Sequence, residues 1–319
     1  MALRRCAGIH RRLRLGFSDS IDFSSASGRI STAGSRSPCA ARRWPWGIGA
    51  RGLFVDAADQ VSLSALSGSE EGIMVLELNR AEAKNAIGVD MLGKFQSALD
   101  RLQDDDAARV VILRSVVPGV FCAGADLKER KKMSVFEAQK FVTSLRSTFS
   151  SLEVLSLPTI AAVEGVALGG GLELALSCDL RICGAEATFG LPETGLAIIP
   201  GAGGTQRLPR LIGRSRAKEL IFTGRRIGAD EAKSYGLVEY LTAAGDAYRK
   251  ALELAKIISN QGPLAIKMAK VAIDRGSEVD AASGMEIEEA CYGQVLKSKD
   301  RLEGLAAFAE KRSPVYRGD

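Results

Sequence analysis

The alternation of apolar and polar residues changes character along the chain. Between about residue 73 and residue 183, short apolar runs alternate with longer segments in which apolar residues recur every three or four positions. The first pattern predicts buried strands, and the second predicts amphipathic helices. From about residue 201 onward the pattern becomes almost purely helical. Strand–helix alternation followed by a helical tail predicts an α/β fold with a separate C-terminal α-helical subdomain.

The predicted strands are rich in Val, Ile and Leu and cover residues 73–78, 110–113, 159–163 and 180–183. A helix of some twenty residues is predicted from Ser134 and ends before Pro158. The other predicted helices cover residues 89–103, 168–176, 214–222, 229–235, 247–258, 263–274, 285–296 and 301–311. The polar stretch at 56–71 is expected to precede the regular structure.

The first 52 residues differ in composition from the rest of the chain. They contain ten Arg, no Lys and only two acidic residues, with many Ser and scattered Gly and Pro. This composition is typical of transit peptides that are removed after organellar import, whereas Arg interrupts the apolar residues too often for a secretory signal. We therefore expect residues 1–52 to be a disordered leader for the mitochondrial matrix, with the plastid as the alternative. Cleavage is expected between Arg43 and Phe54. A basic tail that stays on the mature protein is the other interpretation.

The remainder of the chain is mildly acidic, with 33 basic and 36 acidic residues, so its charge gives no reason to expect a nucleic-acid partner. No run approaches the roughly 18 apolar residues that a membrane span needs. The six Cys include no C-x-x-C pair, which fits buried thiols in a reducing compartment. The single His, His10, lies in the predicted leader. A processed chain would therefore lack Ser-His-Asp triads and His-based zinc sites, and acid–base chemistry would fall to carboxylates, Lys, Tyr or Cys.

Three segments concentrate Gly where helices are predicted to begin, at 118–127 (PGVFCAGADL), 165–174 (GVALGGGLEL) and 200–207 (PGAGGTQR). Gly permits close approach of the backbone to a ligand, and a helix start leaves N–H groups without partners. Such loops can hold a phosphate, or an oxygen that becomes negative during a reaction. Tight turns required by packing are the alternative. No segment matches a nucleotide-binding motif, which disfavours kinase, nucleotide-hydrolase and dinucleotide-binding functions.

Two carboxylates lie twenty residues apart. Glu173 is in the first turn of a predicted helix, and Glu193 follows Pro192. Adding water to a conjugated double bond needs a base for the water and an acid for the α-carbon, and paired carboxylates can supply both without a metal. Each acid also has a purely structural interpretation, because helix N-termini favour acidic side chains and Pro often begins a helix.

Four segments resemble the enoyl-CoA hydratase (crotonase) family in order and spacing: FCAGADLK at 121–128, GGGLELA at 169–175, PE at 192–193 and PGAGGTQRL at 200–208. The resemblance runs from about residue 70 to residue 319. The segment 113–130, LRSVVPGVFCAGADLKER, is most similar to the 3-methylglutaconyl-CoA hydratase (AU-RNA-binding) branch. The resemblance implies a hydratase that adds water to a short or branched 2-enoyl-CoA. Its expected setting is leucine degradation, with 3-methylglutaconyl-CoA as the substrate, or fatty-acid β-oxidation.

The resemblance also implies roles for particular residues. Glu173 and Glu193 together position the water, and Glu193 mainly donates the proton to the α-carbon. Family members that only isomerise double bonds commonly lack the first acid, so both acids together favour hydration. The backbone N–H groups of Ala125 and Gly170 are implied to form the oxyanion hole, and the predicted helix start at Gly170 agrees with this role.

No cofactor and no metal are expected, because coenzyme A is part of the substrate. The resemblance implies that coenzyme A contacts Lys84, Ala86, Ala125, Asp126, Leu127 and Lys128, and also Phe308 and Lys311, often from a neighbouring subunit. It further implies a crotonase-type spiral of ββα units at 65–255 and a C-terminal helical subdomain at 256–319 that assembles homotrimers or homohexamers.

Three other functions compete with hydration. An isomerase, thioesterase or decarboxylase acting on a CoA thioester is the alternative enzyme, and a non-catalytic scaffold is disfavoured by the two acids. RNA binding in the similar branch is attributed to Lys residues on the helix that corresponds to 89–103. The matching positions here are Val89, Gly93 and Ser97, and only Lys94 and Arg101 are basic on that helix. Loss of these charges should remove most of the affinity for phosphates.

Overall fold

The computed structural model describes residues 59–319. The predicted leader, its cleavage site and His10 lie outside this range. The strands are β1 (Val61–Ala65), β2 (Ile73–Leu78), β3 (Val110–Ser115), β4 (Val120–Cys122), β5 (Thr159–Val163), β6 (Val166–Leu168), β7 (Leu180–Gly184), β8 (Thr188–Gly190), β9 (Ile227–Gly228) and β10 (Tyr240–Thr242).

The first helices alternate with these strands: α1 (Val89–Gln103), α2 (Leu127–Arg130), α3 (Val135–Glu153), α4 (Gly170–Leu176), α5 (Gly204–Ile212), α6 (Arg214–Thr223) and α7 (Ala229–Tyr235). The last four are α8 (Ala247–Ser259), α9 (Pro263–Gly276), α10 (Ala281–Val295) and α11 (Lys299–Glu310). Short 3₁₀ helices cover Gly68–Glu70, Ala81–Ala83 and Pro192–Leu196.

Two sheets organise the part of the chain before α8. The larger sheet has the strand order β1-β2-β3-β5-β7-β10 and is parallel except for the antiparallel pair β1–β2. The smaller sheet has the order β4-β6-β8-β9 and is parallel except for β8–β9. All five residues of β5 are buried. Helices on both faces of a parallel sheet explain why its central strands are continuously apolar.

Apolar clusters lie on the two faces of the larger sheet. On one face, the α8 residues Ala247, Ala251 and Ala255 pack against β-strand residues such as Ile112 and Ile160. Because these Ala recur every four residues, they form one stripe of small side chains that lets the helix lie close to the sheet. The cluster on the other face includes residues of α1, α3 and α4, and so attaches the helices around the site to the sheet.

The structure confirms the α/β architecture, and α1, β2, β5 and α7 have the predicted bounds. Three expectations were wrong. The polar stretch 56–71 contains strand β1, whose alternate residues Val61 and Leu63 are buried. Leu168 ends strand β6, and the helix begins only at Gly170. Helix α10 begins four residues before the predicted Met285, because the Asp280 carboxylate accepts N–H bonds from its first turn.

The C-terminal region is helical, as expected. Helices α9 and α10 pack closely at two glycines, since a Cβ on Gly284 would lie 3.2 Å from the carbonyl oxygen of Gly276. The proposed boundary at residue 256 falls inside α8, and the division into core and helical subdomain stays a prediction. Within residues 59–319, no helix is both long enough and apolar enough to cross a bilayer.

Candidate active site

Four segments of the chain meet around a cavity of about 1060 Å³. They are the loop from β4 to α2, the start of α4, the 3₁₀ helix Pro192–Leu196, and the loop that leads into α5. Helix α3 forms a further wall. All three glycine-rich segments of the sequence therefore contribute to one cavity, and both candidate carboxylates line it.

Glu173 is held in the first turn of α4 and is only 2% exposed. Its Oε1 atom accepts hydrogen bonds from the backbone N–H groups of Ala202 and Gly204, both at 2.8 Å. Burial raises the pKa of Glu173 above its ordinary value, while these N–H groups and the charges of Arg207 and Arg146 oppose that rise. The third glycine loop, expected as a place for a phosphate or a reacting oxygen, thus holds a carboxylate of the protein itself.

Two arginine side chains hold this loop from outside. The Arg146 Nε–H group donates to the carbonyl of Gly201 at 2.9 Å, and Arg207 Nη1 donates to the carbonyl of Ala202 at 2.8 Å. Arg207 is itself bound by the Glu153 carboxylate, with N–O distances of 2.6 and 3.0 Å. Sequence reasoning missed this arrangement, and its only local signal was the Arg that ends PGAGGTQR.

Glu193 is the second residue of the 3₁₀ helix and is half-buried. Its Oε2 atom is buried without a hydrogen-bond partner among the described residues. Its Oε1 atom lies 3.1 Å from the position that a Cβ on Gly169 would take. Burial raises the pKa of Glu193 to about 7, the charge of Glu173 adds to the rise, and Arg130 opposes it. Glu193 is therefore a carboxyl group that is protonated below neutral pH and about half protonated near pH 7.

The backbones of Ala125 and Gly170 lie side by side at the cavity wall. A Cβ on Gly170 would lie 3.4 Å from the nitrogen of Ala125. Gly170 is the first residue of α4, where N–H groups have no intrahelical partner. Within residues 59–319, neither N–H donates to another residue. The structure thus brings together the two predicted acids and the two predicted oxyanion donors.

Glycine is required in the turn before α4 for different reasons at different positions. Gly169 has φ +52° and ψ −125°, a combination that side-chain-bearing residues rarely adopt. At Gly171 the reason is space, because a Cβ would lie only 2.1 Å from the carbonyl oxygen of Cys122 in β4. Because Gly169 and Gly171 have no side chains, the start of α4 packs directly against the neighbouring strand, and Glu173 reaches the cavity.

The residues predicted to contact coenzyme A are more dispersed. Ala125 and Leu127 line the cavity, whereas Lys84, Ala86, Asp126 and Lys128 do not. The Asp126 carboxylate is used within the chain: it caps α2 through the N–H groups of Lys128 and Glu129 and pairs with Arg80 at 3.0 Å. Contacts of coenzyme A with this segment therefore stay a prediction and would involve its backbone more than the Asp126 side chain.

The two C-terminal residues of the predicted coenzyme A site lie on helix α11 and at its end. Phe308 is 86% exposed, and Lys311 is exposed in the left-handed conformation with φ +55°. Neither lines the cavity of the same chain. Their role stays a prediction that would require a neighbouring subunit.

Acidic side chains on the described part of the chain form no metal cluster, and two of them pair with a lysine of α1. No group of three His, Cys, Asp or Glu residues between 59 and 319 is arranged to hold a metal ion. On α1, the Lys94 ammonium group lies 3.0 Å from Asp59 and 3.1 Å from Asp90. One of the two basic residues on this helix therefore already has acidic partners within the chain.

The site consists of two carboxylates beside a pair of backbone N–H groups. Comparison with known proteins shows which family the chain belongs to. The family model described as enoyl-CoA hydratase/isomerase matches residues 68–319, so the chain belongs to this family. Enoyl-CoA hydratase from Bacillus anthracis has a similar crystal structure, with a TM-score of 0.79 and 47% sequence identity. The match covers 82% of this chain and all of that one. The crotonase-type fold expected from the motifs is confirmed.

Named relatives are similar over most of their length. The probable enoyl-CoA hydratase 2, mitochondrial, of Arabidopsis thaliana is 62% identical over 259 residues, which is 81% of this chain and 86% of the relative. The methylglutaconyl-CoA hydratase, mitochondrial, of Homo sapiens is 52% identical over 265 residues, which is 82% of this chain and 78% of the relative. The family predicted from the sequence is confirmed, and methylglutaconyl-CoA hydratases are among its similar members.

Proposed function

We propose that the protein is an enoyl-CoA hydratase that adds water across the double bond of a 2-enoyl-CoA thioester. The observation that carries the proposal is the different environment of the two acids. Glu173 accepts two N–H bonds that favour its ionised form, whereas Glu193 has an unpartnered buried oxygen and a pKa raised to about 7. One base and one acid at the same cavity are what hydration requires.

The N–H groups of Ala125 and Gly170 would bind the thioester oxygen and stabilise it as it becomes an enolate. Glu173 takes a proton from water as the water oxygen bonds to the β-carbon. Glu193 then gives its proton to the α-carbon, so that the two carbons gain the elements of one water molecule. The proton on Glu173 returns to Glu193 through solvent before the next turnover, which restores both acids.

The proposed substrate is a short or branched enoyl-CoA, with 3-methylglutaconyl-CoA first among the candidates. Support comes from the apolar walls of the cavity and from relatives named methylglutaconyl-CoA hydratases at about 50% identity. Coenzyme A would enter as part of the substrate, and no separate cofactor is proposed. Assembly into trimers or hexamers would bring Phe308 and Lys311 of one subunit to the nucleotide end of the next.

We also propose that the protein works in the mitochondrial matrix, directed there by residues 1–52. The support is the Arg-rich composition of this segment and the mitochondrial names of the plant and animal relatives. The alternative is import into plastids, and a localisation experiment must distinguish it from import into mitochondria.

The test is a spectrophotometric assay of crotonyl-CoA hydration with purified protein. Glu193→Gln and Glu173→Gln should each lower the rate by about 10²–10⁴, the usual contribution of a general acid or base. Binding of coenzyme A should stay nearly unchanged. Glu186→Gln is the matched control, because Glu186 is exposed in the turn between β7 and β8 and lies outside the cavity.

Wild-type turnover in Glu193→Gln would remove that residue from the mechanism. A protein that shifts double bonds but does not hydrate crotonyl-CoA would be an isomerase, the competing activity within this family. Release of free coenzyme A from the thioester would identify a thioesterase, and release of carbon dioxide would identify a decarboxylase.

A further inference from the structure

One residue of the loop before α1 is paired with the segment that contains the Ala125 N–H group. The N–H of Ile87 donates to the carbonyl of Gly124 at 2.7 Å, and the N–H of Asp126 donates to the carbonyl of Ile87 at 2.9 Å. Ile87 and Ala125 thus form an isolated parallel β-bridge. In such a bridge, the residue whose two neighbours are bonded directs its own N–H away from the partner. The N–H of Ala125 is therefore turned away from this loop and toward the side where Gly170 lies.

The loop, residues 84–87, is itself held by the side chain of Asn85, which is fully buried. Its Nδ2 group donates to the carbonyl of Phe121 at 2.9 Å and to Ser115 Oγ at 2.7 Å, and its Oδ1 atom accepts the N–H of Arg80 at 2.7 Å. Phe121 lies in β4 and Ser115 ends β3. One side chain therefore attaches the loop to two strands.

The backbone of the loop also favours asparagine at this position. Asn85 has φ +53°, in the left-handed region, where Asn is several-fold enriched among residues that carry a side chain. In this turn the carbonyl of Lys84 accepts the N–H of Ala123 at 3.1 Å, and the carbonyl of Asn85 accepts the Cys122 thiol at 3.0 Å. An ionised aspartate has the same shape but only acceptor atoms, so it could not donate to the carbonyl of Phe121.

We propose that Asn85 is a positioning residue for the oxyanion hole, because it holds the loop in the place from which Ile87 orients the N–H of Ala125. This inference rests on the proposed hydratase function and names what orients one of its two donors. The N–H of Gly170 is oriented separately, by the start of α4. A donor stabilises the developing enolate only at hydrogen-bonding distance, and a displacement of about 1 Å can lower the rate by about 10²-fold.

The same loop contains Lys84 and Ala86, which are predicted to contact coenzyme A. If Asn85 served only those contacts, its loss would weaken binding of the nucleotide and leave the chemical step unchanged. Crotonyl-CoA and crotonyl-pantetheine distinguish these two roles, because both have the same thioester and acyl group, and only the first has the nucleotide.

The experiment compares wild type, Asn85→Asp, Ser115→Ala and the control Asn260→Asp. In Asn85→Asp, the carbonyl of Phe121 loses its side-chain donor, and kcat should fall by about 10²-fold for both substrates alike. Ser115→Ala removes one of the two Nδ2 bonds and should lower kcat by about two- to tenfold, the usual effect of one hydrogen bond. Asn260 is exposed at the end of α8, so its variant makes the same chemical change elsewhere and should behave as wild type.

A spectroscopic readout reports the oxyanion hole without turnover. Butyryl-CoA has no double bond to hydrate, and isotopic labelling of its thioester carbonyl isolates the infrared band of that group. N–H donors polarise a bound carbonyl and lower its stretching frequency. At saturating butyryl-CoA, the band in Asn85→Asp should lie closer to that of the free thioester than the wild-type band does, whereas Asn260→Asp should match wild type. Unfolded protein binds no ligand and does not contribute to the shifted band.

Wild-type kcat together with a wild-type carbonyl band in Asn85→Asp would overturn the inference. If that variant does not fold, the same two results in Ser115→Ala would overturn it. A loss confined to crotonyl-CoA and absent with crotonyl-pantetheine would assign Asn85 to nucleotide binding, which also overturns it. Wild type that lowers the carbonyl frequency of butyryl-CoA without hydrating crotonyl-CoA would instead reject the proposed function, and the band in the variants would still decide the role of Asn85.

Discussion

The rate of hydration should depend on pH in a direction that the two acids define. Glu193 must carry a proton in order to give it to the α-carbon, and its pKa is raised to about 7. Glu173 must be ionised in order to take a proton from water, and burial places its pKa above the ordinary value. We expect kcat/KM to follow a bell-shaped curve, because this parameter reports the pKa values of the free enzyme.

The alkaline side of the curve is the informative one. With a pKa of about 7 for Glu193, the protonated fraction is about nine tenths at pH 6 and about one tenth at pH 8. The value of kcat/KM should therefore fall close to tenfold over these two pH units. The charge of Arg130 lowers the pKa of Glu193, so Arg130→Gln should move this fall to higher pH.

The assay is the initial rate of crotonyl-CoA hydration at constant ionic strength in overlapping buffers. Glu193→Gln provides the control, since a glutamine neither titrates nor donates an acidic proton, and the alkaline fall should vanish along with most of the activity. Crotonyl-CoA is suitable because its acyl group carries no carboxylate that could titrate.

A rate that rises through pH 7 and stays high at pH 8 would refute the assignment, because Glu193 would then act in its ionised form. An alkaline fall that persists in Glu193→Gln would attribute the titration to another group. Either result would exchange or remove the proposed roles of the two glutamates while leaving the fold and the cavity as described.

Three further outcomes are expected. Arg207→Gln should release the carbonyl of Ala202 and disturb the loop that holds Glu173. The value of kcat should then fall by up to about 10²-fold, equally for substrates with and without an acyl carboxylate. Unequal losses, or the circular dichroism spectrum of an unfolded protein, would argue against a positioning role. A histidine-directed reagent should cause no substrate-protectable loss of activity in protein that begins after residue 52, because the only His is at position 10. Residues 1–55 fused to a fluorescent protein should direct it to mitochondria; diffuse cytosolic fluorescence would contradict the transit peptide.

The sequence predicted those helices and strands whose formation depends mainly on residues that are neighbours in the chain. Helix α1 was placed with correct bounds because its apolar residues recur on one face, and all of them except Val89 are buried. Strand β1 was missed because its two buried residues, Val61 and Leu63, alternate with Ser62 and Ser64 in an otherwise polar stretch. The start of α4 was misplaced by two residues because Leu168 fits an apolar strand and an apolar helix equally well.

The candidate site likewise contains parts that the sequence predicted and parts that it did not. The motifs around Glu173 and Glu193 indicated the two acids, since a proton-transfer pair needs those side chains. The N–H bonds from Ala202 and Gly204 join residues 29 and 31 positions away, and the bond from Arg146 to Gly201 spans 55 positions. Contacts over such distances depend on how the helices pack, and one sequence contains no local signal for them.

The glycine turn before α4 has a consequence for how this scaffold can change over time. In the proposed active site, the half that would bind the substrate carbonyl consists of backbone atoms, and Gly169 and Gly171 leave no room or conformational freedom for a side chain. Mutation can therefore destroy that half but can hardly retune it. The cavity wall on α3 and the two glutamates, by contrast, consist of side chains, which single substitutions can alter one at a time. New reactions in this scaffold are thus expected to inherit thioester activation unchanged and to diverge in what happens to the carbon chain.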